Sequence, residues 1–174
     1  MTRKSLLAVL LLALAGIDCA ALAAPQIAVI VAAGDLRNAA GNAELASIYR
    51  RKLLIDPWGR GIVPVNLPAG DPLRVAFSAA VLGRLPEDMQ AYWNEQYFHG
   101  VSPPATLDSQ EAVLRFVATT PGAIGYVLEC DVDARVKVIA TIAVPDDHPV
   151  PASACNPQTM APDHPTAIGA SRRN

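Results

Sequence analysis

The chain has 174 residues, 52% of them hydrophobic, 17% charged and 5% aromatic, with 14 Lys and Arg against 16 Asp and Glu. That length supports one domain with at most an appendage, and the apolar fraction is enough for a packed core; a multidomain machine and wholesale disorder are excluded. A net charge of −2 with no basic run leaves no electrostatic footprint for nucleic acid.

The first 23 residues read as an export signal. Arg3 and Lys4 form a positive start, and the apolar stretch from Leu6 to Gly16 is too short to span a bilayer. Ala21-Leu22-Ala23 supplies small residues at the −3 and −1 positions, which predicts cleavage after Ala23 and a periplasmic address. Cys19 raises the question of a lipid anchor, but Asp18 stands where a lipobox wants a small residue. Cleavage leaves a net charge of −3 and two cysteines, Cys130 and Cys155. An oxidising compartment favours a disulfide between them, provided the fold brings their Cα atoms to about 4.4–6.8 Å.

A β-branched apolar run from Ile27 to Ala33 predicts a buried strand, and Gly34 to Gly41 a loop. Ala43 to Lys52 reads as a helix, with Leu45, Ile48 and Tyr49 on one face and three cations in its last turn. The turn residues Asp56-Pro57-Trp58-Gly59 lead to a short strand, Gly61–Asn66, which Pro64 marks as an edge or a strand end. Asp71-Pro72 opens the next helix: the carboxylate caps free N–H groups, and proline at the first position lacks no donor that the helix needs. Gly83 ends it, and Pro86 begins another that runs to about Tyr97, its aromatics assigned to core and rim packing. Asp108 is the expected cap of a further helix, with Glu111 completing a capping box. Strands over Ile124–Leu128 and Arg135–Val144 follow. Six of the fifteen prolines lie between Pro145 and Asn174, which predicts a largely irregular tail. The expected domains are therefore a signal peptide (1–23), a core (24–144) and a tail (145–174). The order of elements predicts an α/β three-layer sandwich with a mostly parallel mixed sheet.

Catalytic and metal chemistry find little support. His99 has Ser102, Asp108 and Ser109 nearby in sequence, but no nucleophile elbow surrounds either serine, and a histidine closing a helix is the simpler reading. Asp146-Asp147-His148, Cys155 and Asp163-His164 carry metal-ligand atoms on a proline-rich segment that offers no scaffold. No cofactor, metal or catalytic residue is expected. The helix opening at Asp71 is the better candidate for a ligand. Gly70 permits close approach to the backbone, the first-turn N–H groups favour an anion, and Arg74 can add a bidentate donor. Asp71 itself competes for those donors, so a ligand that keeps a proton, such as hydrogenphosphate, is favoured over sulfate. An ordinary capped helix remains the alternative.

Several stretches resemble a known family. Glu44 to Lys52, Trp58-Gly59, Pro64-Val65-Asn66, Phe77 and above all Thr120-Pro121-Gly122-Ala123-Ile124-Gly125-Tyr126-Val127 are similar to one lobe of the phosphate ABC transporter substrate-binding proteins. Ala91-Tyr92-Trp93-Asn94, Gln96-Tyr97-Phe98 and Gly100 to Pro104 resemble the short exported phosphate-binding-like proteins that carry one such lobe. The resemblance spans roughly residues 27–140. It implies one lobe of a type 2 periplasmic binding protein fold and no catalysis. Its implied partners are phosphate or a related oxyanion and a membrane transporter or receptor, and a homodimer would replace the second lobe. The candidate site residues are Gly70, Asp71 and Arg74, read from the helix start, together with Asn66 just before it; the resemblance itself does not supply them. Where the family's binders carry an Arg and a Ser-Gly-Thr run, this chain has Leu67 (or Asn66) and Asp71-Pro72-Leu73. A lobe that keeps the scaffold but serves as a protein-interaction module is the second reading.

Overall fold

The computed structural model describes residues 25–151; the expected signal segment, Cys155 and the rest of the tail lie outside the described residues. Five strands form one mixed sheet in the order β3-β2-β4-β1-β5. They are β1 (Gln26–Ala32), β2 (Val63–Asn66), β3 (Ala105–Thr106), β4 (Ala123–Leu128) and β5 (Val136–Ala143). β2 runs parallel to β3 and β4, while β1 is antiparallel to both β4 and β5. Four strands thus point one way and β1 opposes them.

The helices are α1 (Asn42–Tyr49), α2 (Pro72–Phe77, continued by a wider π turn over Ser78–Leu82), α3 (Gln90–Phe98) and α4 (Gln110–Thr119). Side-chain parity along β4 assigns them to layers. Tyr126 meets Phe77 of α2 ring to ring at 3.9 Å and 5°, and Tyr49 of α1 at 5.9 Å. Gly125, on the opposite face, lies under α4: a Cβ there would stand 2.5 Å from Val113 Cγ1 and 3.0 Å from Val117 Cγ2. The absence of a side chain is what lets α4 settle onto the sheet. Gly122, three residues earlier, combines φ +78° with a backbone pressed against the Gly61 carbonyl. The stretch from Gly122 to Tyr126 is therefore written largely by packing: a turn only glycine makes easily, a helix seat, and an aromatic for the other layer.

Local chemistry explains most element ends. Asp71 caps α2, its carboxylate accepting from the N–H groups of Leu73 (2.8 Å) and Arg74 (3.3 Å), and Pro72 follows at the first position. Gly83 closes the helical run at φ +61°. Three expectations need correction. The cap of α4 is Ser109, whose Oγ accepts from the Ala112 N–H at 3.2 Å; Asp108 is one residue too early, and Glu111 pairs with Arg135 at 2.8 Å instead of completing a box. α1 stops at Tyr49, because Arg51 turns to φ 58°. Lastly, α3 buries none of its residues, so its aromatics are not core. Its mean spacing carries no apolar stripe, and it stands on the protein's rim. Cys130 is disulfide-bonded.

Candidate functional site

Because β2 to β5 share a direction, their carboxyl ends share an edge of the sheet, where α/β proteins gather ligands. β2 ends there at Asn66, and Leu67–Gly70 carry the chain directly into α2. Tyr126 joins the pieces: its hydroxyl accepts from the Leu67 N–H and donates to Asn66 Oδ1, each at 3.3 Å. Asn66 is thereby buried and fixed, its side chain turned to Tyr126, while its backbone oxygen accepts from Leu107.

Arg74 lies one turn into α2 and is only 8% exposed. Its Nε and Nη1 atoms are fully buried and find no hydrogen-bond partner among the described residues. Four residues on, Ser78 is wholly buried and its Oγ is likewise unpartnered. At that spacing the two side chains share one face of the helical run. Burial pushes the Tyr126 and Tyr49 hydroxyls well above the ordinary tyrosine range; the Arg74 charge draws both back, and Asp71 opposes it at Tyr126. The Tyr49 hydroxyl donates to the Ile124 carbonyl oxygen at 3.5 Å.

An uncompensated buried guanidinium is costly, by roughly 1–3 kcal/mol for each unsatisfied polar group. An oxyanion is the kind of acceptor a guanidinium pairs with most strongly. Arg74 and Asp71 are the two charges that act on Tyr126, and the Asp71 carboxylate already accepts two helix N–H groups.

Of the four residues singled out from sequence, Asn66, Asp71 and Arg74 converge on Tyr126 and α2. Gly70 is exposed, and a Cβ there would meet nothing within 4 Å, so no close approach within the chain explains it. Sequence reasoning missed Tyr126, Tyr49 and Ser78. Ser78 had a signal, its four-residue spacing from Arg74; Tyr126 had one in the resemblance motif, though not as a site residue. His99 is exposed at the end of α3, and Ser109 is engaged as a cap. Among the described residues no group of three or more His, Cys, Asp or Glu could hold a metal ion, and no helix is long and apolar enough to cross a membrane.

A phosphate ABC transporter substrate-binding protein from Clostridium perfringens, with bound phosphate, superposes with a TM-score of 0.54 at 22% identity. The match covers 66% of this chain and 44% of that one. An ABC-type phosphate transport receptor from Vibrio cholerae gives 0.53 at 17% identity, over 66% of this chain and 45% of that one. The likeness is one of fold. This chain spans less than half the length of those phosphate-transport proteins, as a lobe-like relative. No protein-family profile and no curated protein sequence matches it.

Proposed function

We propose that this is an exported, non-enzymatic, solute-binding-like protein that holds phosphate or a related oxyanion at the Arg74 corner, serving an ABC transport or sensing system. The observation that carries the reading is the buried Arg74 guanidinium with two unpartnered nitrogens. Nε and Nη1 open toward different edges of the guanidinium, so an oxyanion would accept either side-on from Nε with Nη2 or end-on from Nη1 with Nη2, satisfying one of the two orphaned nitrogens directly. Ser78 Oγ on the same face is a further donor. The fold supports the reading in kind, since the two phosphate-transport proteins above share it.

Asp71 sets the selectivity. Its carboxylate accepts from the helix N–H groups that an anion would otherwise use, so a fully ionised ligand meets a like charge. Hydrogenphosphate can turn its proton toward that carboxylate, whereas sulfate has none to offer.

Thermal unfolding of the full chain against phosphate, sulfate, phosphonate and molybdate at fixed ionic strength tests this. Phosphate at about 100 times its Kd should stabilise by roughly 2.7 kcal/mol, a rise of several degrees, with sulfate well behind. Asp71→Ser keeps a capping oxygen and removes the charge, so it should narrow the gap between phosphate and sulfate with little change in basal stability. Equal response to all four anions in the wild type would count against a built site.

A second reading, a lobe turned protein-interaction module, is favoured by α3, which buries none of its residues and exposes Tyr97 and Phe98.

A further inference from the structure

A groove of about 410 Å³ lies between the end of α1 and α3, lined by Arg50, Lys52 and Arg84 together with Ala91, Tyr92 and Glu95. Three cations face one carboxylate. Elsewhere among the described residues, Arg37, Arg60, Arg115 and Arg135 all stand in ion pairs with aspartate or glutamate. None of the three groove cations does. Half of the eight described arginines are neutralised by ion pairs, and two of the unpaired ones, Arg50 and Arg84, meet Lys52 in this one depression.

The groove is also held in shape. Arg50 Nη2 donates to the Leu82 carbonyl oxygen at 2.8 Å, and the Tyr92 hydroxyl donates to the Arg50 carbonyl oxygen at 2.7 Å. These two bonds tie the end of α1 to the helical run after α2 and to α3. Along α3, Ala91, Glu95 and Phe98 fall on one stripe at helical spacing. The first two line the groove, so Phe98 prolongs it, and its ring is 87% exposed. Tyr97, 70% exposed, meets Phe98 edge to face at 6.4 Å.

We propose that this groove and the aromatic end of α3 form a docking surface for a segment of a partner protein that carries at least two carboxylates beside a bulky apolar side chain. Charge complementarity selects the carboxylates: the cations steer and fix them, and like-charged segments are rejected. The extent of the surface selects a protein segment over a small anion. A small anion would be contained by the cationic groove and leave Phe98 in water, whereas an extended segment covers both. Exposed aromatics beside arginine are the composition that interface anchors favour. The surface is separate from the Arg74 corner, so it stands or falls independently of the anion reading.

Peptide binding by fluorescence anisotropy, with the full chain, tests the proposal. The probe is a labelled 12-residue peptide of Asp and Glu interleaved with Leu and Phe. Its controls are the Asn/Gln isostere, the Lys counterpart, and an acidic peptide with Ser in place of Leu and Phe. The acidic-apolar peptide should bind at least tenfold more tightly than each control. Lys52→Glu with Arg84→Glu should remove that preference, Phe98→Ser should weaken it severalfold, and Arg74→Met should leave it unchanged. Lys52, Arg84 and Phe98 are exposed, so the variants at those positions should stay folded, which far-UV circular dichroism checks for all of them. Binding no tighter than the isostere, or indifferent to the charge reversals and to Phe98→Ser, would overturn the proposal. So would full competition by citrate with no contribution from the apolar residues, which would assign the groove to a small anion. Self-association abolished by Phe98→Ser in sedimentation would assign the surface to a second copy and likewise overturn it.

Discussion

Two regions of this molecule are built from the same residue types, arginine and aromatics, and use them in opposite ways. In the corner beneath α2, Phe77, Tyr126 and Tyr49 stack into one buried cluster, and the guanidinium beside them is shut from water with two nitrogens unpartnered. On α3, four aromatics in nine residues bury nothing fully, and the cations facing them are open to solvent. Burial decides what each can do. A charge under the sheet edge penalises the empty protein and rewards a ligand small enough to enter. Charges on the rim cost the fold little and are available to something large. The same contrast is the basis for proposing an ion site at one and a docking surface at the other.

The largest effect should come from breaking the aromatic cluster. Phe77→Ala removes the ring stacked on Tyr126, and by the usual cost of a buried phenylalanine it should lower unfolding free energy by about 3–5 kcal/mol in chemical denaturation. Arg74→Met should act in the other direction. Replacing an unsatisfied buried guanidinium with an apolar chain of similar reach should raise the stability of the anion-free protein by roughly 1–3 kcal/mol, read as a higher Tm in phosphate-free buffer. A loss of stability there would mean that the guanidinium is already satisfied.

A smaller effect separates the regions by pH. Burial raises the Tyr126 and Tyr49 hydroxyls above their unfolded value of 10.0. Above that pH the unfolded chain sheds protons that the folded chain retains, so the contribution of these groups is complete below about pH 10 and is lost as pH rises further. Tyr126→Phe should make the alkaline decline of stability shallower, measured by urea midpoints between pH 8 and 11. At the small end, Phe98→Ser should change stability by no more than about 0.5 kcal/mol, since the ring it removes is already in water.

How much of this was legible in the sequence follows the same division. The run from Ile27 to Ala33 announced β1 because a β-branched stretch of that length has few other homes, and Asp71-Pro72 announced α2 because cap chemistry is local. The two-residue β3 was invisible: Ala105-Thr106, after Pro103-Pro104, has no periodicity to show, and its pairing with β2 is tertiary. α3 misled for a related reason. Tyr92, Trp93, Tyr97 and Phe98 look like core residues, and only the absence of an element packed over them shows otherwise. At the site, Arg74 could be singled out by its place in the helix, but its burial could not, since an arginine in a first turn ordinarily faces solvent. Tyr126 fastens the corner from 60 residues away along the chain, a distance across which local pattern carries no information.

Isothermal titration of phosphate into the wild-type chain and into Arg74→Met, at one ionic strength, tests the central claim most directly. The account predicts one phosphate bound per wild-type chain and no measurable heat of binding to a variant that is folded and more stable. Phosphate binding of equal affinity to both proteins, or none to either, would contradict it.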